Sequence, residues 1–105
     1  MMITSTLRRT TTITKQDDWD ARYRQLLARL RPLLERQPGF VDHELRREGD
    51  SGRMVETTTW RTTEDCRAYL RNGGAAMAAT MLDAFFPTAP FPNGNWVRET
   101  SEAPG

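Results

Sequence analysis

Between Ile3 and Thr14 the chain alternates, with Ile3, Ser5, Leu7, Arg9, Thr11 and Ile13 on one side, and is rich in threonine and β-branched residues; the pattern predicts a first strand. The period then lengthens. Trp19, Tyr23, Leu26, Leu27, Leu30, Leu33 and Leu34 recur at steps of three and four, the spacing of an amphipathic helix, and Asp17 and Asp18 place negative charge at its positive end. Pro32 falls inside this pattern and removes one backbone hydrogen bond, so a kink or a tightened last turn is expected near Arg31, with the helix over by Gln37-Pro38-Gly39. From Phe40 to Glu48 alternation returns, with Val41, His43 and Leu45 on one face and Asp42, Glu44 and Arg46 on the other. Gly49-Asp50-Ser51-Gly52 supplies a turn, and Met54 to Trp60 reads as the returning strand of a hairpin.

Thr62-Thr63-Glu64-Asp65 carries a capping signal, with Cys66, Tyr69 and Leu70 at helical spacing behind it. Asn72-Gly73-Gly74 breaks that helix, and a third runs from Ala75 to Phe86 with Met77, Met81 and Phe85 at steps of four. Pro87, Pro90 and Pro92 force a loop, and Asn95 to Thr100 forms a last strand. The order strand, helix, strand, strand, broken helix, strand predicts an α+β chain of the ferredoxin-like, split βαβ kind. Its four antiparallel strands carry the helices on one face. The other face, with Val55, Thr57, Thr59 and Val97, is left open as a candidate dimer interface.

A chain of 105 residues has room for one core, placed at residues 1–100 with a flexible tail at 101–105. The net charge of +1 gives no sequence-wide attraction to nucleic acid or anionic lipid, so neither is expected as a partner. One cysteine, Cys66, and one histidine, His43, exclude an internal disulfide and a Cys/His zinc cluster within one chain. No apolar run approaches a membrane span or a signal peptide, and a cytoplasmic protein is expected. Asp17, Asp18 and Asp20 have an ordinary explanation as helix-start acids, and no metal is expected there.

Gln37-Pro38-Gly39-Phe40-Val41, followed by an alternating hairpin and by Thr59-Trp60-Arg61-Thr62-Thr63-Glu64-Asp65 with Tyr69-Leu70, resembles the antibiotic biosynthesis monooxygenase (ABM) superfamily. The resemblance implies a dimeric α/β barrel in which two sheets pack face to face, and hence a homodimer. It also implies a choice of activities. Some members oxidise anthrone-like polyketide intermediates to quinones with molecular oxygen and no cofactor; others degrade haem; others bind or isomerise small molecules. Trp60 matches the cavity-lining aromatic of both oxygenase types. The haem degraders carry an Asn in the first strand and a His after the Trp, and this chain has neither. The quinone-forming type carries an Asn four residues before the Trp and a Tyr six residues after it, where this chain has Glu56 and Cys66.

Cofactor-free oxygenation needs aromatic walls, one base, and donors for a developing oxyanion, because the substrate itself supplies the electrons. Trp19, Tyr23, Trp60, Tyr69, Phe85, Phe86, Phe91 and Trp96 are candidate walls, each with a second reading as ordinary core. His43 is the one side chain of the type that exchanges protons near neutrality, pointing into the cavity or into a subunit interface according to which face is inward. Glu56 shares a strand face with Thr58 and Trp60 and is the second candidate base, or else a solvated or Arg-paired carboxylate. Arg98, with Arg9, Arg46 and Arg47, is placed to hold a substrate carboxylate or enolate, or to pair across strands with Glu44, Glu48, Glu56 or Glu99; Tyr69 and Asn95 are candidate donors. Cys66 reads as a small buried residue. The expected activity is oxygenation of a phenolic or anthrone-like substrate in antibiotic or aromatic polyketide biosynthesis. A non-oxidative cyclase or isomerase, or a small-molecule binder of the same fold, is the alternative.

Overall fold

The strand-forming and helix-forming periods of the sequence resolve, in a computed structural model that describes residues 2–88 and 97–102, into seven elements. They are β1 (Ile3–Thr10), α1 (Gln16–Glu35), β2 (Phe40–Glu48), β3 (Arg53–Trp60), α2 (Thr63–Arg71), α3 (Gly74–Phe85) and β4 (Val97–Glu102). The strands form one antiparallel sheet in the order β2-β3-β1-β4. This is the ferredoxin-like arrangement expected from the order of elements. α1 lies on β2, α2 lies on β1 and β3, and α3 packs against both other helices. No helix among the described residues is long and apolar enough to cross a membrane.

Local chemistry explains the boundaries. Thr62 caps α2 by accepting a hydrogen bond from the Asp65 N–H at 3.0 Å. Gly73, at φ +91°, makes the left-handed turn between α2 and α3 that the Asn72-Gly73-Gly74 break predicted. Gly39, at φ +78°, also sits where any Cβ would overlap the Asp65 carboxylate, and its carbonyl accepts from the Arg61 N–H at 2.8 Å. The Pro-Gly start of β2 and the capped start of α2 are therefore in direct contact, which ties together the two most recognisable stretches of the sequence.

Several expectations are corrected. α1 continues through Pro32 to Glu35, because Pro32 and Ala28, whose carbonyl loses its donor, both lie on the exposed side where water can serve. The tightened turn comes beyond it, where the Gln37 N–H reaches the Leu34 carbonyl at 2.9 Å. Val41 does not share a face with His43 and Leu45: a bulge between Phe40 and Asp42 turns it out, leaving it 39% exposed. On α3 the buried stripe is Gly74, Ala75, Ala78 and Leu82, continued by Phe86, while Met77, Met81 and Phe85 are only half-buried. Small side chains let this helix approach its neighbours closely, and the larger ones are displaced to the flank. At the strand ends, β1 closes at Thr10 rather than Thr14, with Thr11 bridging Thr88, and β4 reaches Glu102, beyond Thr100.

The helix-facing side of the sheet is a stack of rows read across β2, β3, β1 and β4. The first is Phe40, Trp60 and Ile3; the second is His43, Thr58, Ser5 and Thr100; the third is Leu45, Glu56 and Leu7; the fourth is Arg47, Met54 and Arg9. The core of Leu7, Leu26, Leu30, Leu34, Leu45, Met54, Trp60, Leu82 and Phe86 closes over the first three strands of this face. The second row is polar throughout. The opposite face carries Thr4, Thr6, Arg8, Glu44, Arg46, Thr57 and Thr59, with Val55 buried between its cross-strand neighbours Arg8 and Arg46.

Candidate active site

A polar row under a hydrophobic core costs stability unless its groups are paired, so its position marks where the fold serves something other than packing. His43 opposes Thr58, and Glu56 stands two residues back along β3, one step diagonally from His43. Their side chains meet: His43 Nε2 lies 3.0 Å from Glu56 Oε2, with side-chain exposures of 0% and 2%. Helix cover on this face decides which of the two sequence readings of His43 applies; it points into the core between sheet and helices. Glu56 is buried rather than solvated, and among the described residues no arginine lies at hydrogen-bond distance from it.

A carboxylate, when ionised, only accepts hydrogen bonds, so with an ionised Glu56 the proton of this contact sits on His43 Nε2 and Nδ1 faces the protein without it. Among the described residues, His43 Nδ1 and Glu56 Oε1 have no hydrogen-bond partner, although both are buried. Two acceptor atoms are thus left open inside the protein, side by side on one strand pair. Beside them the Trp60 ring N–H donates to Thr58 Oγ1 at 3.0 Å, and that hydroxyl lies 3.5 Å from the Ser5 carbonyl.

The predicted aromatics separate into two clusters. Trp60 packs tilted on Tyr69, ring centres 4.5 Å apart, and edge-on to Phe40 at 5.7 Å. At the other end of the sheet Trp19 stacks on Tyr23 at 5.1 Å and meets Phe86 at 5.3 Å. Phe85 lies on the helix flank under the Arg29 guanidinium, and so is not a wall of the His43 and Glu56 region. Phe91, Asn95 and Trp96 lie outside the described residues, and Arg98 is placed only by its register opposite Leu7. Arg46 pairs with Glu44 on its own strand at 3.1 Å, and Arg47 is held by Gln16 and the Thr14 carbonyl. Asp18 and Asp20 are taken up by Arg22 and Gln16 on α1.

Arg9 departs most from expectation. Rather than pairing across strands, its guanidinium, with the side chain 2% exposed, reaches α3 and the turn after it: Nη2 contacts Asp83 Oδ1 at 2.7 Å, the Phe86 carbonyl at 2.7 Å and Thr88 Oγ1 at 2.6 Å. Burial pushes this guanidinium below its usual value, against the opposing pull of Asp83 and, behind it, Glu56.

A surface cleft of about 310 Å³ opens between α2 and the β1–β4 edge, lined by Ile3, Thr63, Cys66, Arg67, Leu70, Thr100 and Ser101. His43, Glu56 and Trp60 do not line it. The cleft nevertheless adjoins them in register, because Ile3 is the cross-strand neighbour of Trp60 and Thr100 is the outer end of the polar row. Cys66 lies on its floor, and sequence reasoning read this residue only as packing. Its place six residues after Trp60 was the available signal.

Comparison with known proteins agrees with the fold. No curated protein matches the chain. Among solved structures, SnoaB from Streptomyces nogalater, described as a cofactor-independent oxygenase, is 26% identical with a TM-score of 0.65, over 99% of this chain and 94% of that one. ActVA-Orf6 of Streptomyces coelicolor, a monooxygenase in complex with nanaomycin D, is 12% identical with a TM-score of 0.67, over 98% of this chain and 88% of that one. A putative antibiotic biosynthesis monooxygenase from Bordetella bronchiseptica is 16% identical with a TM-score of 0.66, over 97% and 96% of the two chains. The last two share the fold. The antibiotic biosynthesis monooxygenase family matches residues 6–80, and the chain belongs to that family.

Proposed function

We propose that the protein is a cofactor-independent monooxygenase of aromatic polyketide metabolism that converts an anthrone-like methylene, or a comparable phenolic position, to a ketone. The observation that carries this reading is the buried His43–Glu56 pair, with Nδ1 and Oε1 open, one row from Trp60. SnoaB and the nanaomycin D complex of ActVA-Orf6 support an oxygenase with a small organic substrate. Substrate enters over Thr100 and Ile3 from the cleft and lies along the polar row. Glu56 fixes the His43 tautomer and orientation, and Nδ1 removes the methylene proton. The resulting carbanion is delocalised into the flanking rings and gives its electrons to molecular oxygen. The hydroperoxide so formed loses water and leaves the ketone: Ar–CH2–Ar + O2 → Ar–CO–Ar + H2O. Trp60 and Tyr69 form a wall that keeps bulk water from the carbanion.

The same reading takes the active form as a homodimer joined through the open sheet faces, with Val55, Thr57 and Thr59 near the centre. The test is oxygen uptake by metal-free protein on anthrone and dihydroanthracene-type substrates. One O2 consumed per ketone is expected, with rates reduced about 10²- to 10⁴-fold in His43→Ala and Glu56→Gln and strongly reduced in Trp60→Phe. Uptake unchanged by all three substitutions would remove the assignment. Because a proton-transfer pair replaces the family's Asn at Glu56, a non-oxidative cyclase or isomerase is the second reading; turnover under strict anaerobiosis would select it.

A further inference from the structure

We infer that Arg9 is a positioning residue for the His43–Glu56 pair, a fixed buried cation on the Glu56 side whose field biases the exchange of the proton between the two side chains. The inference rests on the pair being a proton-transfer centre, but its observations are separate. Arg9 stands one row below Glu56 on the same buried face, opposite Met54 and diagonal to Glu56, within the reach of such pairs. Its guanidinium is fixed rather than mobile, with Asp83 Oδ1, the Phe86 carbonyl and Thr88 Oγ1 all within 2.7 Å of Nη2. Those partners lie at the C-terminal end of α3, where the helix dipole favours a cation. An arginine keeps its proton, so this charge is permanent.

The side-chain geometry also says why the charge acts on the pair. Asp83 is 49% exposed and its attraction for Arg9 is screened by water, whereas Glu56 is buried and meets the cation through protein. Among the described residues, the other charged groups near the pair have partners of their own. Arg31 of α1 comes within 3.5 Å of the His43 carbonyl and is bridged to Asp42. Arg47, at the end of the fourth row, is tied to Gln16 and the Thr14 carbonyl, and Tyr69 and Cys66 of α2 face the Trp60 end. Arg47 is a second cation on this face, diagonal to Glu56 across β2, but it turns to Gln16, the Thr14 carbonyl and Asp50 at the strand end; of these cations Arg9 is the one enclosed by protein, its side chain 2% exposed.

The chain has a single histidine, so the ring resonances of His43 report the pair without assignment ambiguity. The experiment follows those resonances by NMR against pH in the full chain, with thermal unfolding recorded beside them. Arg9→Gln keeps donors for the Phe86 carbonyl and Thr88 but removes the charge, and is expected to move the profile by about one pH unit toward higher pH, since losing a nearby cation favours proton uptake. Arg9→Lys keeps the charge with fewer contacts; its profile is expected to superimpose on the wild type even though its unfolding temperature falls. A clamp with no electrostatic role predicts the reverse: both variants destabilised and neither profile moved. That outcome, or equal displacement in both variants, overturns the inference. If Arg9→Gln does not fold, Asp83→Asn at the exposed end decides. It frees the cation from its neutralising partner and is expected to move the profile toward lower pH, and an unmoved profile there is equally fatal. Because the readout is proton affinity rather than turnover, a protein without oxygenase activity still returns a result on Arg9.

Discussion

The same four strands present two unlike faces. Toward the helices, ionisable and hydroxyl groups are set among leucines and aromatic rings: His43, Glu56, Thr58 and Arg9 are all buried. Toward the open side, threonines and surface charges such as Glu44 and Arg46 stand where water can hydrate them, and the buried apolar residue is Val55. Chemically similar residue types therefore have opposite energetic meaning a strand's thickness apart. On the open face a polar group is nearly free of cost, and on the helix face each unpaired one costs about 1–3 kcal/mol. The cost is concentrated in one band between two well-packed aromatic clusters, which is the pattern of a site built into a core rather than of a poor core.

The largest break in this comparison is expected at Trp60, buried under Tyr69 and Phe40. Trp60→Ala should cost about 3–5 kcal/mol in chemical denaturation, whereas Thr57→Ala, on the opposite face of the same strand, should stay within about 0.5 kcal/mol. Glu56 sharpens the contrast. Glu56→Leu leaves His43 Nε2 buried without its partner and is expected to lose about 1–3 kcal/mol, while His43→Leu combined with Glu56→Leu should recover that loss or exceed wild-type stability. The recovered double variant should be catalytically dead, so a double variant as unstable as the single would mean that the pair is structural. On the open face, Thr57→Arg should leave unfolding almost unchanged and halve the mass seen by light scattering if the sheets meet there; an unaltered mass would place the dimer contact elsewhere. The smallest effect is expected at Val41, already turned to solvent by the bulge, where Val41→Thr should change neither stability nor activity measurably.

Much of this was legible in the chain itself. Alternation alone placed Ser5, Leu7 and Arg9 on one side of β1 and Glu56, Thr58 and Trp60 on one side of β3, and the helical spacing of Trp19, Leu26, Leu30 and Leu34 marked the buried stripe of α1. Period two assigns residues to faces but does not say which face a helix will cover, so His43 had two destinations until α1 was seen to lie over β2. Nor does it give register: the diagonal meeting of His43 with Glu56 depends on the hairpin pairing and on a bulge that no residue type announces. The Arg9 contacts were the least legible, since Asp83 lies 74 positions away and only the tertiary fold brings it near. On α3 the eye is drawn to Met77, Met81 and Phe85 by size, while close packing selects the small Ala75 and Ala78.

The position of β1 at the centre of the sheet also shapes how the molecule is made. β1 precedes the other strands along the chain, yet one of its edges is completed by β4, which brings Thr4 against Ser101 across 97 positions of chain. Until that segment is available, the backbone groups of Ile3–Arg8 on the β4 side have no strand beside them, and this open edge is a template for pairing with another nascent copy. The threonines and arginines that fill β1 keep this exposed edge hydrated during the wait. Sheet completion is then a long-range, late event in folding.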